Sequence, residues 1–99
     1  MRVAYLITAY NDPVLLDGLA AALGAAHRDL FIHIDAKSDI GQFDLPHLAH
    51  AHFLEDRVRV HWGNASMLTA AMRLLEAAAA RGAYDYYVLL SGSDFPIKP

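Results

Sequence analysis

The sequence has no cysteine, so it forms no disulfide and no thiolate metal site, and it leaves the redox compartment open. It lacks an apolar run of the roughly 18 residues that a membrane span needs. The first residues carry one positive charge and an apolar stretch. That stretch meets Asn11-Asp12-Pro13 before any small-residue cleavage site, so it reads as a strand and not as a secretory signal. Charge is also scarce: 19% of residues are charged, and the net charge of −3 argues against a binder of nucleic-acid phosphates. There is no internal repeat and no low-complexity linker. No Gly-Lys-Ser triplet marks a Walker loop, and the first turn lacks the spaced glycines of a dinucleotide fingerprint.

What is present is a globular composition. With 99 residues and 56% hydrophobic content, the chain reads as a single domain with one core and not as a disordered segment. Arg2 to Ala9 is nearly all apolar and β-prone, as a strand buried on both faces should be. Asp12 is placed to cap a helix and Pro13 to open it, with apolar positions 15, 16, 19 and 23 on one face and Gly24 as its stop. Asp29 to Ile34 is a second strand. Residues 42–51 are ambiguous because Pro46 interrupts any helix there. Phe53-Leu54 and Val58 to Trp62 read as short extended pieces, the second with period-two alternation.

A second helix follows, capped by Ser66, with Ala65 or Asn64 as near rivals. Met67, Leu68, Ala71, Met72, Leu75 and Ala79 are its expected apolar face, the methionines being ordinary core. Arg81-Gly82 is its expected end, and the alanine run 77–80 is expected to pack closely on a sheet. Tyr84 to Leu90 is the last strand. This order predicts an α/β fold: a mostly parallel sheet with flanking helices and right-handed crossovers.

Ligands of such sheets bind beyond the carboxyl ends of the strands. Three polar loops fall there: Tyr10-Asn11-Asp12, Asp35-Ala36-Lys37-Ser38 and Ser91-Gly92-Ser93-Asp94. Asp35 closes an apolar strand where its carboxylate can accept hydrogen bonds from ribose hydroxyls or a ring N–H, or else serve as a turn aspartate. Lys37 either complements a phosphate or is a solvated loop lysine. Gly92 lets a backbone approach a ligand closely, and Asp94 is suited to a metal, a sugar hydroxyl or a base, or to an Asx turn before Phe95-Pro96. His47, His50 and His52 lie close in sequence, but zinc needs three or four fixed ligands, so they read as surface or packing residues. His33, inside an apolar strand, reads as a satisfied core histidine. Trp62 reads as packing, and Tyr84, Tyr86 and Tyr87 as structural strand residues.

Four ordered segments resemble one family. They are Val3 to Tyr10 with Asp12 and Leu15-Leu16; Phe31-Ile32-His33-Ile34-Asp35-Ala36-Lys37-Ser38, similar to I-H-V-D-x-K-S; Val60 to Met67, similar to W-G-x-x-S-x-V; and Tyr86 to Lys98, similar to L-x-S-G-x-D-[FY]-P-[IL]-K. Together they resemble the core-2/I-branching β-1,6-N-acetylglucosaminyltransferases (glycosyltransferase family 14), which include the peptide O-xylosyltransferases.

The resemblance implies the Rossmann-like nucleotide-binding half of a GT-A glycosyltransferase fold. It implies inverting transfer of N-acetylglucosamine or xylose from a UDP-sugar to a hydroxyl or glycan acceptor. By resemblance, Ala9, Tyr10, Asp35 and Lys37 would hold the donor nucleotide, and Ser91, Gly92, Ser93 and Asp94 would lie at its diphosphate-sugar edge. Tyr10 stands where family members often have histidine. Ser91 to Asp94 carries one carboxylate where other GT-A enzymes have a metal-binding D-x-D, so no metal ligand and no required cofactor are expected. The leaving diphosphate would instead be offset by basic side chains further along. The family's catalytic base is a carboxylate well downstream of the P-[IL]-K motif. No residue of this chain matches it, so the base is expected beyond Pro99, where the sequence stops just after an apparent strand.

Residues 1–99 are therefore expected to be the N-terminal, nucleotide-sugar-binding half of a catalytic domain, inactive alone. A cytoplasmic or membrane-peripheral, bacterial-type location is expected, and self-association through an exposed sheet edge. The rivals are a non-catalytic α/β binding or interaction module, and a metal-dependent hydrolase built on Asp35, Asp94 and histidines.

Overall fold

The apolar, β-branched run Val-Ala-Tyr-Leu-Ile-Thr-Ala forms strand β1, Val3–Ala9, and its alternate side chains serve two cores on opposite faces of one sheet. A computed structural model describes residues 2–10, 12–23, 28–60 and 65–91, with Arg28 and Ser91 described as backbone only. Helix α1 runs over Pro13–Leu23, strand β2 over Arg28–Ile34, strand β3 over His52–Phe53, helix α2 over Ala65–Arg81 and strand β4 over Tyr86–Ser91. Two short 3-10 turns, Ile40–Phe43 and Pro46–Leu48, lie between β2 and β3. The four strands order as β3-β2-β1-β4, and every pairing is parallel.

That order places the site. From β1 the chain steps outward to β2 and β3, then crosses back to β4 on the far side of β1. The direction of travel reverses between β1 and β4, and the carboxyl ends there are the crevice where open α/β sheets bind ligands.

Asp12 and Pro13 act as the sequence predicts. The Asp12 carboxylate accepts the Leu15 N–H at 3.3 Å, and α1 starts at Pro13. Asp12 does so with φ of 56°, a left-handed conformation that costs an L-residue energy but suits Asp better than most. Leu16, Leu19, Ala20 and Leu23 of α1 join Ile7, Ala9, Ile32 and Ile34 in the core on one face. The proposed stop, Gly24, lies outside the described residues.

Pro46 breaks the ambiguous segment as expected and opens the second 3-10 turn. That turn is tied to α1. The Asp17 carboxylate accepts the His47 backbone N–H at 2.7 Å and meets His47 Nδ1 at 3.0 Å. These hydrogen bonds hold the Asp17 carboxyl below its ordinary value.

Three sequence expectations are corrected. Val58 to Val60 is not a strand: only His52–Phe53 adds to the sheet on that side. Its backbone groups go instead to a loop and a histidine, as described below; His61 to Asn64 lie outside the described residues. Ser66 is the second residue of α2, inside the helix and not its cap. The buried face of α2 is Ala70, Leu74 and Ala78; Leu74 and Ala78 pack with Ala4, Leu6 and Phe31. Met67, Leu68, Met72, Leu75 and Ala79 are exposed, and Ala71 is half-buried. The helix turns its small residues to the sheet because alanines allow closer approach than methionines or leucines do.

The amino ends of the strands are closed by a charged and aromatic clasp. Asp29 accepts from Tyr84 Oη at 2.6 Å and from Arg2 at 3.4 Å, while the Arg2 guanidinium lies 4.6 Å from the Tyr84 ring centre. Those partners, Tyr84 first, hold the Asp29 carboxyl below its ordinary value. Tyr84 is thus structural, as expected. It precedes β4, which starts at Tyr86.

Candidate functional site

The site is built from the carboxyl ends of β1, β2 and β4. Register pairs Ala9 with Ile34 and Thr8 with Ser91, so the carboxyl ends of β1, β2 and β4 lie side by side. Asp35 is the first residue beyond β2. Its backbone N–H donates to Ala9 O at 2.9 Å, which ties it to the end of β1. The residue is 4% exposed, an unusual position for a carboxylate.

One Asp35 oxygen accepts the Lys37 backbone N–H at 2.9 Å, an Asx turn. The other lies 3.6 Å from Lys37 Nζ. The Asp35 carbonyl accepts from Ser38 N–H at 2.8 Å, and Ser38 Oγ donates to Tyr10 O. The turn and ligand readings of Asp35 are therefore compatible. One oxygen shapes the loop, and the other lies beside a lysine that a ligand can share.

Lys37 is neither simply solvated nor free. Its Nζ donates to Val60 O at 2.7 Å while lying beside Asp35, and its side chain is 41% exposed. Ala9 is buried and Tyr10 is exposed at the lip. Ser91 ends β4 against Thr8; its side chain, and all of Gly92, Ser93 and Asp94, lie outside the described residues, as does Trp62. Pro99, beyond which the sequence reading puts the catalytic base, also lies outside the described residues, so that expectation meets no structural observation here. A cleft of about 250 Å³ adjoins this edge on the α2 side, lined by Thr8, Val60, Met67, Ala70, Ala71 and Leu89 among others. Its walls are almost wholly apolar, so recognition of a polar ligand falls to the loops and not to the cleft.

The segment 57–60 is the part of the site that sequence reading missed. Val58 O accepts the Ala36 N–H at 3.1 Å, and Arg57 Nη1 donates to Ser38 O at 3.2 Å. With Val60 O on Lys37, it grips three consecutive loop residues. His33 completes it. Fully buried in β2, its Nε2 accepts the Val58 N–H at 2.7 Å. The ring is only half satisfied, contrary to expectation: Nδ1 has no partner among the described residues. The signal in sequence was slight. His33 and Asp35 are two apart in an extended stretch, hence on one face, but nothing local shows that 57–60 returns there.

The other described histidines do not gather. His47 pairs with Asp17, His52 stacks on Phe31 at 4.9 Å, and His50 is exposed. Among the described residues, no three His, Cys, Asp or Glu side chains are placed to hold a metal ion.

A family model described as "Core-2/I-Branching enzyme" matches residues 3–99. The chain is 30% identical over 105 aligned positions to xylosyltransferase oxt of Drosophila pseudoobscura pseudoobscura, covering 99% of this chain and 12% of that protein. The corresponding protein of Drosophila melanogaster matches to the same extent, 30% over 105 positions. The chain therefore spans about 12% of the length of the curated relatives it matches.

Proposed function

The chain belongs to the core-2/I-branching enzyme family, and from that premise we propose that it is the nucleotide-sugar-binding part of a glycosyltransferase. The reaction we propose for the whole protein is inverting transfer of a sugar, N-acetylglucosamine or xylose, from a UDP-sugar to a hydroxyl or glycan acceptor. The observation that carries it is Asp35: a buried carboxylate at the end of β2, beside the crevice between β1 and β4, with one oxygen committed to its own loop. An acidic residue at that position is suited to hydroxyls or a ring N–H of a nucleoside.

In this reading Ala9 and Tyr10 supply the lip of the nucleoside site and Lys37 orients Asp35. Ser91 to Asp94 lead toward the diphosphate and sugar. The acceptor-activating carboxylate lies beyond Pro99, so residues 1–99 alone bind donor without turning it over. A divalent metal is not required, and a cytoplasmic or membrane-peripheral location is part of the same proposal. Among the described residues no helix is long and apolar enough to cross a membrane.

The test is titration calorimetry with UDP. Asp35→Ala is expected to weaken binding by about 1–3 kcal/mol, roughly 5- to 150-fold, the loss of hydrogen bonds to a charged group. Asp35→Asn, which keeps an acceptor for the Lys37 N–H, separates loss of charge from loss of the turn. Manganese or a chelator should leave the wild-type affinity unchanged. Equal affinity of all three proteins would remove Asp35 from the site.

We also propose that a second copy covers the open side of β4. Leu89 is 59% exposed on the α2 side of the sheet, and it shares the cleft with Met67, continuous with the exposed stripe of α2. β4 has no strand beyond it among the described residues, so its outer backbone groups can pair with another strand. Sedimentation velocity is expected to show mass rising with concentration. A single-chain mass throughout would sink this.

A further inference from the structure

The Asp35 loop is held from two sides. On the inner side, Asp35 N–H and Ser38 Oγ donate to the carbonyls of Ala9 and Tyr10. On the outer side, the described hydrogen bonds come from 57–60. Ala36, Lys37 and Ser38 each bond to one residue of that segment. Among the described residues the segment pairs with no strand, and its described hydrogen bond to the sheet runs from Val58 N–H to His33 Nε2; Val60 also lines the cleft beside Thr8 and Leu89. Val58 thus joins the buried ring to the loop, its N–H to His33 and its carbonyl to Ala36.

The chemistry of that bond is demanding. A ring nitrogen that accepts must be unprotonated, so the neutral ring carries its proton on Nδ1. Nδ1 is buried and has no partner among the described residues. This tautomer therefore bears a desolvation cost at Nδ1 in order to keep Nε2 open to Val58. Protonating Nε2 would set an N–H against the Val58 N–H, whose described acceptor is this ring nitrogen.

We propose that His33 is the positioning residue of this site: its bare Nε2 pins Val58, and through it segment 57–60, so that losing that lone pair by substitution or protonation releases the outer side of the Asp35 loop. The consequence for ligand binding rests on the nucleoside reading of Asp35; the clamp itself does not.

Burial, more than the charges around the ring, favours the neutral form. Asp35 at the end of β2 favours the imidazolium, while Arg57 of the outer segment and Arg73 of α2 oppose it. Thr8, the registered neighbour on β1, does not titrate. The ring is thus held below its ordinary value near 6.5. The unfolded chain takes up this proton before the native one does. Stability and the clamp are therefore intact at neutral pH and are lost as pH falls through the lowered native value.

The experiment reads the clamp without a ligand. Long-range proton–nitrogen NMR near pH 7.5 should show His33 with a bare Nε2. Amide exchange at Ala36 and Val58, referenced to Ile7 in β1 and corrected for intrinsic rates, should accelerate about 5- to 150-fold in His33→Leu, the cost of orphaning a buried donor. Wild type should show a similar selective loss on acidification. In His33→Gln, whose Oε1 can accept from Val58 but does not protonate, protection should be retained and independent of pH. If His33→Leu fails to fold, the wild-type and His33→Gln pH series still decide. An Nε2–H tautomer, or exchange at Ala36 and Val58 that merely follows Ile7, overturns the proposal. UDP affinity measured alongside should fall with acid in wild type and not in His33→Gln. Absence of UDP binding at every pH would refute the nucleoside reading and leave the exchange result to judge the clamp.

Discussion

Phe31→Ala is expected to cost about 3–5 kcal/mol of folding stability, read from the urea midpoint at constant slope. A domain of this size holds roughly 5–15 kcal/mol in all, so the variant should lie near the edge of folding. The expectation follows from where the ring sits. Phe31 is 1% exposed, on β2, in the core that α2 covers. It stacks on His52 of β3 at 4.9 Å and meets the Tyr84 ring edge-on at 6.0 Å. One side chain therefore joins the short edge strand, the sheet centre and the residue that leads into β4. Alanine there loses the transfer energy of the ring and leaves a hole bounded by strands that cannot close on it. The Tyr84 hydroxyl would still reach Asp29, but its ring would lose the wall that orients it. A loss below about 2 kcal/mol would mean that α2 or β3 shifts to fill the space, and that β3 is held less firmly than its pairing suggests.

The parts legible in the sequence share a property: their determinants are local. β1 and β2 are continuous apolar runs, and Asp12-Pro13 carries its own helix start. Pro46 could only interrupt. Asp35 was legible as a carboxylate ending an apolar strand, whatever lay around it. The parts that were not legible depend on a return of the chain. Val58 to Val60 has the alternation of a strand, but periodicity reports local conformation and not pairing, and its bonding groups go to Ala36, Lys37 and His33. For the same reason Lys37 looked like a free cation. Its Nζ is occupied by Val60 O, a carbonyl 23 residues away. His33 as a core residue was correct about burial. Its role appears only once Val58 is beside it.

The rotation of α2 is the sharpest case, and two adjacent leucines test it. Leu74→Ala is expected to cost about 2–5 kcal/mol, and Leu75→Ala less than about 1 kcal/mol, in the same urea series. Leu74 is wholly buried among Ala4, Leu6, Phe31 and Ala78, while Leu75 is 38% exposed. Both lie on helically spaced apolar sets: positions 70, 74 and 78, and positions 67, 68, 71, 72, 75 and 79. By summed hydrophobicity the second set is the better core face, since it holds both methionines and two leucines. It loses because α2 packs across β1 and β2, where Ala4, Leu6 and Phe31 already occupy the layer. A stripe with alanines on either side of one leucine fits that space; a stripe of long side chains would hold the helix off. Arg73, one step from Leu74, then reaches Asp56 and fixes the rotation at the surface. A larger loss at Leu75 than at Leu74 would mean that the helix presents its methionine face to the sheet. A large loss at Leu74 alone places the methionine stripe outward, on the side that also carries Leu89, where only another surface can cover it.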